Sequence, residues 1–296
     1  MYTLLITAEQ LGALQSEDAR LMVFDCSFEL ANPAAGAEQY RKAHIPGAVH
    51  ADLDTALSDP GVVGADGSHR PHADAASGGR HPLPSREKFA MWLSSVGFAN
   101  DMQAVVYDRQ NASYCGRLWW MLKWVGHDAV AILDGGLQAW QAAGGEATGR
   151  EEPAHFQSNF RLGPPLRRLV GTGEVLAALE TGRQTLVDAR APARFRGETE
   201  PFDPVAGHIP GALNRPSTRN VGPDGKFRPA AELRTEFEQL LQGREPAGVV
   251  HHCGSGVSAV PNLVAMELAG FAPTGLYAGS WSEWCRDPAR PVARGG

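Results

Sequence analysis

The sequence predicts an α/β protein of two tandem domains, each a parallel sheet with helices on both faces. Three observations predict it: an internal repeat, strand and helix patterns that alternate, and a length of 296 residues. Domains usually hold roughly 100–200 residues, so this length suits two. The repeat is the most informative. Ala43-His44-Ile45-Pro46-Gly47-Ala48 recurs as Gly207-His208-Ile209-Pro210-Gly211-Ala212, and Val23-Phe24-Asp25 matches Leu186-Val187-Asp188. Val105-Val106-Tyr107 matches Val249-Val250-His251 at a shift of 144, which also carries Gly126 to Gly270, Gly135 to Gly279 and Trp140 to Trp284. So long a period excludes a solenoid and implies two copies of one domain.

The elements follow in order. Met1–Thr7 reads as an edge strand. Leu21–Asp25, Gln103–Tyr107, Thr185–Asp188 and Gly248–His251 are short, β-branched runs that read as buried strands. Ser85–Ser95 and Ala230–Leu241 carry apolar residues at helical spacing. Alternation of this kind argues for a parallel sheet covered on both faces, with the ligand at the carboxyl ends of the strands. Domain one is expected over 1–144, a linker rich in Gly, Pro and charge over 145–168, and domain two over 169–296. Ser58–Pro84 is a polar insertion in the first copy, read as a solvated loop with a lid as the alternative. Helical spacing makes Trp119, Trp120 and Trp124 core and domain-interface residues. Trp281 and Trp284 follow the last strand and are placed near the site.

Composition narrows the function classes. Hydrophobic residues make up 43% of the chain, enough for a core in each half, and the net charge of −6 opposes nucleic-acid binding. No apolar run approaches the ~18 residues of a membrane span. The start of the chain lacks the basic and long apolar regions of a signal peptide. None of the four cysteines forms a C-x-x-C pair. Neither a zinc site nor a disulfide framework is expected, and a cytoplasmic protein with reduced thiols is.

The chemistry is expected at Val249-Val250-His251-His252-Cys253-Gly254-Ser255-Gly256-Val257-Ser258-Ala259. This stretch joins a strand to a helix marked by Val260, Leu263, Val264 and Leu268, with Pro261 in the first turn, where its missing N–H costs little. Gly254 and Gly256 let the backbone curl so that successive N–H groups, through Val257 and Ser258, face inward. Such a nest favours a negative charge at its centre, and so a thiolate nucleophile. A buried structural cysteine is the competing reading, less favoured in this context. In the first copy Arg109 stands where Cys253 does, so only one copy carries the nucleophile. His251 and His252 flank the cysteine, but no third and fourth ligand stand at zinc spacing. A nearby imidazolium would favour the thiolate.

These motifs resemble the tandem rhodanese-like sulfurtransferases. The loop Cys253–Ser258 is similar to the 3-mercaptopyruvate sulfurtransferase form. The resemblance extends to Gly79-Arg80-His81-Pro82-Leu83-Pro84, Asp134-Gly135-Gly136 and Gly279-Ser280-Trp281-Ser282-Glu283-Trp284. It implies transfer of sulfane sulfur from 3-mercaptopyruvate, through a Cys253 persulfide, to cyanide or a thiol acceptor, either a small thiol or a thioredoxin-like protein. No metal and no organic cofactor is implied. Thiosulfate is the alternative donor by the same mechanism, and an inactive binding module the remote alternative. Phosphatases and arsenate reductases on this fold need a longer loop ending in arginine, which Cys253–Ser258 is not. A monomer is expected.

The resemblance also assigns site residues. Gly254 and Ser255 are neutral where thiosulfate enzymes of the mammalian type carry basic residues, which favours a singly charged donor. Ser255 is expected to bond the donor carbonyl or assist a proton. Arg194 matches the arginine that binds the donor's anionic group, and His44 a histidine facing the site. Asp188 and Arg190 are expected as a supporting pair, and His208 as structural. The chain departs from the pattern twice. Asp203 stands where a second anion-binding arginine is found, and no carboxylate partner precedes His44.

Overall fold

The computed structural model describes residues 1–17, 20–63 and 69–296. The chain folds as two units. The first comprises Met1–Asp74, Pro84–Leu166 and Val221–Phe227. The second comprises Ala75–Leu83, Arg167–Asn220 and Arg228–Gly296.

The first unit contains strands β1 (Leu5–Ile6), β2 (Leu21–Asp25), β3 (Val49–His50), β4 (Val62–Val63), β5 (His69–Arg70), β6 (Gln103–Tyr107) and β7 (Val130–Leu133). Its helices are α1 (Ala8–Ser16), α2 (Ala34–Lys42), α3 (Arg86–Ser95), α4 (Cys115–Trp124) and α5 (Gly136–Ala142). Five strands form a parallel sheet in the order β1-β7-β6-β2-β3, and β4 pairs with β5 as a separate antiparallel ribbon. Strand alternation splits the apolar residues between two faces. Val23, Val105 and Ala131 pack with Leu11, Leu137 and Trp140 on one face. On the other, Phe24 meets Trp92 and Phe98. Burying Phe24 fully contributes roughly 2–3 kcal/mol. Ser85 starts α3 by accepting the Lys88 amide.

The second unit repeats this plan. Its strands are β8 (Arg168–Leu169), β9 (Thr185–Asp188), β10 (Leu213–Asn214), β11 (Val249–His252) and β12 (Gly275–Leu276). Its helices are α6 (Thr172–Thr181), α7 (Pro192–Phe195), α8 (Ala230–Leu241), α9 (Val260–Leu268) and α10 (Ser280–Trp284). The parallel order β10-β9-β11-β12-β8 is the first sheet's order under the repeat. Val250 and Leu186 pack with Val175, Phe195, Trp281 and Trp284, while α8 and α9 pack together with α9 against β11 and β12. The predicted fold class is the observed one.

Three details differ from expectation. The fourth core strand runs Val249–His252, because Gly248 closes a turn of 3-10 helix and His252 pairs with Asp188. The stretch expected as a linker is folded onto the first unit as far as Leu166. His44 and Thr148 exchange backbone hydrogen bonds at 2.9 and 2.8 Å, and the amides of Ser158 and Gly163 reach the carbonyls of Ser94 and Val125. Last, the insertion expected as a solvated loop is only partly so. Residues 64–68 lie outside the described residues, but Ala75–Leu83 is built into the second unit. No helix among the described residues is long and apolar enough to cross a membrane.

Candidate active site

Strand β11 delivers Cys253 to the carboxyl end of the second sheet, and α9 begins seven residues later. The loop between them is fixed by α10. The amide of Trp281 donates to the Cys253 carbonyl at 3.0 Å, and that of Ser282 to the Gly254 carbonyl at 2.8 Å. In a trans peptide the C=O and the following N–H point in opposite directions. The amides of Gly254 and Ser255 therefore face away from α10. Neither they nor the amides of Val257 and Ser258 bond a described protein acceptor. The Cys253 amide donates to Ser280 Oγ at 3.1 Å, and Ser280 Oγ donates to the Tyr277 carbonyl at 2.9 Å. Ser280 holds this position at a φ of 54°, a left-handed conformation costing a non-glycine residue about 1–2 kcal/mol. Strain of that kind persists where the surroundings over-determine it.

The first unit shows what this turn does to a negative charge. Under the repeat, Asp108 takes the place of His252. Its carboxylate accepts the amides of Gln110 (2.9 Å), Ala112 (3.1 Å), Tyr114 (2.8 Å) and Cys115 (3.0 Å). Ala112 has a φ of 61°, matching 73° at Gly256. The first copy thus fills its own anion nest. Arg109, in Cys253's position, is tied to Asp25, Ser27 and the Ala43 carbonyl. In the second copy a histidine replaces the carboxylate and leaves the turn without an internal anion.

Cys253 is 1% exposed. The partly exposed groups beside its loop are two guanidiniums, Arg80 at 22% and Arg194 at 17%. A methyl group placed on Gly254 would lie 3.2 Å from Arg80 Nη2 and 3.4 Å from Arg194 Nη1 and Nη2. Arg194 also holds Glu200 through two hydrogen bonds, at 2.6 and 3.2 Å. Behind it, Arg190 makes a buried pair with Asp188 at 2.7 Å and reaches Glu200 and the Gly207 carbonyl. Arg190 also lies over the ring of buried Trp281.

Ser255 is buried, and its Oγ lies 2.8 Å from His81 Nδ1. The histidine bonded to Ser255 is His81. His44 is a buried residue of the first unit, stacked on Tyr40, with Nδ1 at the Tyr40 carbonyl and Nε2 at Glu152. Both its ring nitrogens are engaged there. Arg80 and His81 were missed as site residues, although their motif was visible. His81 and Ser255 are 174 positions apart, and no local periodicity reports such a contact. His208 is stacked on Phe195 and bonds its carbonyl.

Neither histidine beside the thiol supplies an imidazolium at neutral pH. Burial, with Arg215 and His252 nearby, pushes His251 down to about 3, and burial also lowers His252. Both rings are neutral at pH 7. His251 Nε2 sits 3.2 Å from Met266 Sδ, and its Nδ1 is buried without a partner. Unfolding exposes this ring and returns it to about 6.5. The unfolded chain therefore binds a proton that the folded chain does not, and stability is lost as pH falls from 6.5 towards 3. The loss from this group approaches about 1.4 kcal/mol per pH unit. In urea unfolding at pH 7 and pH 5, the His251→Gln variant should lose less stability between the two than wild type does. An equal loss in both would contradict the assignment. The remaining thiols are poor nucleophiles: burial raises Cys26, Cys115 and Cys285, the first two well above the ordinary range.

Comparison with known proteins gives this geometry a family. The rhodanese-like domain model matches residues 7–143 and again 172–287. The chain is 46% identical to the "Probable 3-mercaptopyruvate sulfurtransferase" of Pseudomonas aeruginosa, over 98% of each chain. It is 33% identical to the bovine (Bos taurus) "Thiosulfate sulfurtransferase", covering 89% of this chain and 84% of the other. Its fold superposes on the crystal structure of SseA from Escherichia coli, titled as a 3-mercaptopyruvate sulfotransferase. The TM-score there is 0.77 at 28% identity, over 95% of this chain and all of that one. The chain belongs to the rhodanese-like family and carries two copies of its domain.

Proposed function

We propose that the chain is a sulfurtransferase that takes sulfur from 3-mercaptopyruvate onto Cys253 and passes it to cyanide or a thiol. The observation that carries the reading is the pair of matched turns. One copy fills its amide nest with Asp108; the other presents Cys253 with amides left unspent. Amides held in place stabilise a thiolate, and equally the outer sulfur of a persulfide, without reorganising during the reaction.

The first step balances within this site. The Cys253 thiolate attacks the donor's sulfur, forming the S–S bond as the donor's C–S bond breaks. The released electron pair stays on carbon as the enolate of pyruvate. The proton of the donor thiol ends on that carbon, and Ser255 Oγ with His81 is the proton carrier next to the loop. Attack by cyanide on the outer sulfur then gives thiocyanate and restores the thiolate. A thiol acceptor, whether small or presented by a thioredoxin-like protein, takes the sulfur in the same way.

The named relatives divide between two donors, so the donor is argued from the site. Gly254 and Ser255 carry no charge, and the nearby guanidiniums are offset by Glu200 and Asp203. That balance suits one carboxylate better than a dianion such as thiosulfate. The four cysteines are free, which fits a reducing compartment such as the cytoplasm, and a monomer is the expected state. Mixing the enzyme with one equivalent of 3-mercaptopyruvate and no other thiol should release one pyruvate per enzyme and leave the sulfur bound to the protein, and cyanide should then remove that sulfur as thiocyanate. Pyruvate release that leaves no sulfur on the protein would contradict the two-step reading.

A further inference from the structure

The second unit holds more positive charge at the Cys253 loop than the sequence pattern suggests. Arg80 comes from Ala75–Leu83, and that segment is stitched down. The Gly78 amide donates to Glu283 at 3.1 Å and the Arg80 amide to Ser282 Oγ at 2.9 Å. Gly79 has a φ of 92°, and a methyl group there would lie 2.7 Å from the Gly279 carbonyl oxygen and from Ser282 Oγ. Only glycine fits, so the backbone bearing Arg80 has one way to sit.

The guanidinium is equally constrained. Arg80 Nη1 donates to Asp203 at 2.8 Å, and the group lies over the Phe202 ring, 5.2 Å from its centre. Arg194 lies 5.1 Å from the same ring centre and 3.5 Å from the other Asp203 oxygen. Asp203 is 5% exposed and bridges the two. Each guanidinium keeps donors in hand. Arg80 Nη2 and Arg194 Nη1 make no hydrogen bond among the described residues, and both stand over Gly254. Arg80 Nε is buried and also without a partner. Two planar forks with unspent N–H groups converging on one point form a carboxylate-sized receptor.

We infer that Arg80 is the second anion-binding group of the donor site, and that Asp203 sets its preference for a singly charged donor. The inference rests on the sulfur-transfer reading above and deepens it. Asp203 does not replace a missing arginine by itself. It anchors one that arrives from far along the chain and cancels part of the combined charge. Two arginines against Glu200 and Asp203 leave the receptor close to neutral, so a second negative charge on the donor meets no matching field.

The test compares kcat and KM for 3-mercaptopyruvate and thiosulfate in wild type, Arg80→Ala, Asp203→Asn and the Arg80→Ala/Asp203→Ala double variant. The double variant leaves no buried carboxylate unpaired by the loss of Arg80, and so guards against local unfolding. In Arg80→Ala and the double variant, KM for 3-mercaptopyruvate should rise about tenfold or more with kcat changed less than about threefold. Added guanidinium ion should partly restore KM in Arg80→Ala, which a purely structural loss would not allow. Asp203→Asn should raise kcat/KM for thiosulfate relative to 3-mercaptopyruvate by about tenfold. Unchanged KM in the double variant, or a fall in kcat alone, overturns the role of Arg80. An unchanged donor ratio in Asp203→Asn overturns that of Asp203. A wild-type protein that releases no pyruvate overturns the sulfur-transfer reading and this inference with it; normal wild-type turnover beside unaffected variants overturns the inference alone.

Discussion

Replacing Cys253 by serine is expected to lower sulfur transfer by roughly a thousandfold or more, with the fold intact. Serine keeps the size of the side chain, and the amide of residue 253 still reaches Ser280 Oγ. What is lost is the one atom that accepts sulfur. A hydroxyl at this turn is a far weaker nucleophile towards sulfur and forms no persulfide. Cys115→Ser is the control. Cys115 is buried in the first unit beside Asp108, and burial keeps its thiol protonated. This variant should turn over close to wild type. Activity measured by thiocyanate release in both variants checks the contrast. Substantial turnover in Cys253→Ser would place the sulfur elsewhere.

The second large effect is expected at Gly256, which has no room and no conformational alternative. Its φ is 73°, and a methyl group there would lie 2.1 Å from the Ala278 carbonyl oxygen. Real contacts of this type do not come so close, so Gly256→Ala forces either the loop or the Tyr277–Gly279 backbone to move. Overpacking costs about 1–3 kcal/mol and the left-handed conformation about 1–2 more. The amides following Gly256 shift with it, and activity depends on their positions. We expect Gly256→Ala to lower the Tm by roughly 5–10 °C. Sulfur transfer should fall at least about a hundredfold, as it does when a single anion-stabilising donor is lost elsewhere. Gly254→Ala is a useful contrast, since its neighbours are the movable ends of Arg80 and Arg194 rather than backbone. It should retain stability and lose donor binding. A Gly256→Ala protein with wild-type melting and turnover would show that the turn is not rigid.

What the sequence disclosed and what it withheld divide along physical lines. Buried parallel strands are near-continuous apolar runs, so Leu21–Asp25, Gln103–Tyr107 and Thr185–Asp188 were visible with their observed bounds. The Cys253 turn was visible because strand, glycines and helix follow one another within one short stretch. The strands β3, β8, β10 and β12 have two residues each, too few for a period to register. Ala75–Leu83 was hidden for a different reason. It has no regular structure, and its meaning lies in long-range bonds from Gly78, Arg80 and His81 to residues more than a hundred positions away. The pattern Gly78-Gly79-Arg80-His81-Pro82 carried the signal, since paired glycines before a basic pair mark a backbone free to take an unusual shape. His44 and His208 share the repeated His-Ile-Pro-Gly-Ala motif, and in both copies that histidine stacks on an aromatic ring and bonds a backbone carbonyl.

The charge pattern around Cys253 follows the same division. Arg194 and Asp203 were readable as residues, but their relation was not. Only the folded chain shows one carboxylate spanning two guanidiniums that stand far apart in the sequence. On the proposal made above, donor selectivity rests on this three-dimensional pairing, and a substitution at Arg80 is expected to affect it as directly as one beside the cysteine.

The central claim is that sulfur rests covalently on one named atom between the two half-reactions. Intact-mass spectrometry of the enzyme, desalted after brief exposure to 3-mercaptopyruvate, measures this directly. The account predicts a gain of one sulfur atom, mapped by peptide analysis to Cys253 and removed by cyanide. A protein that turns over yet never gains that mass, or gains it at Cys26, Cys115 or Cys285, would contradict it.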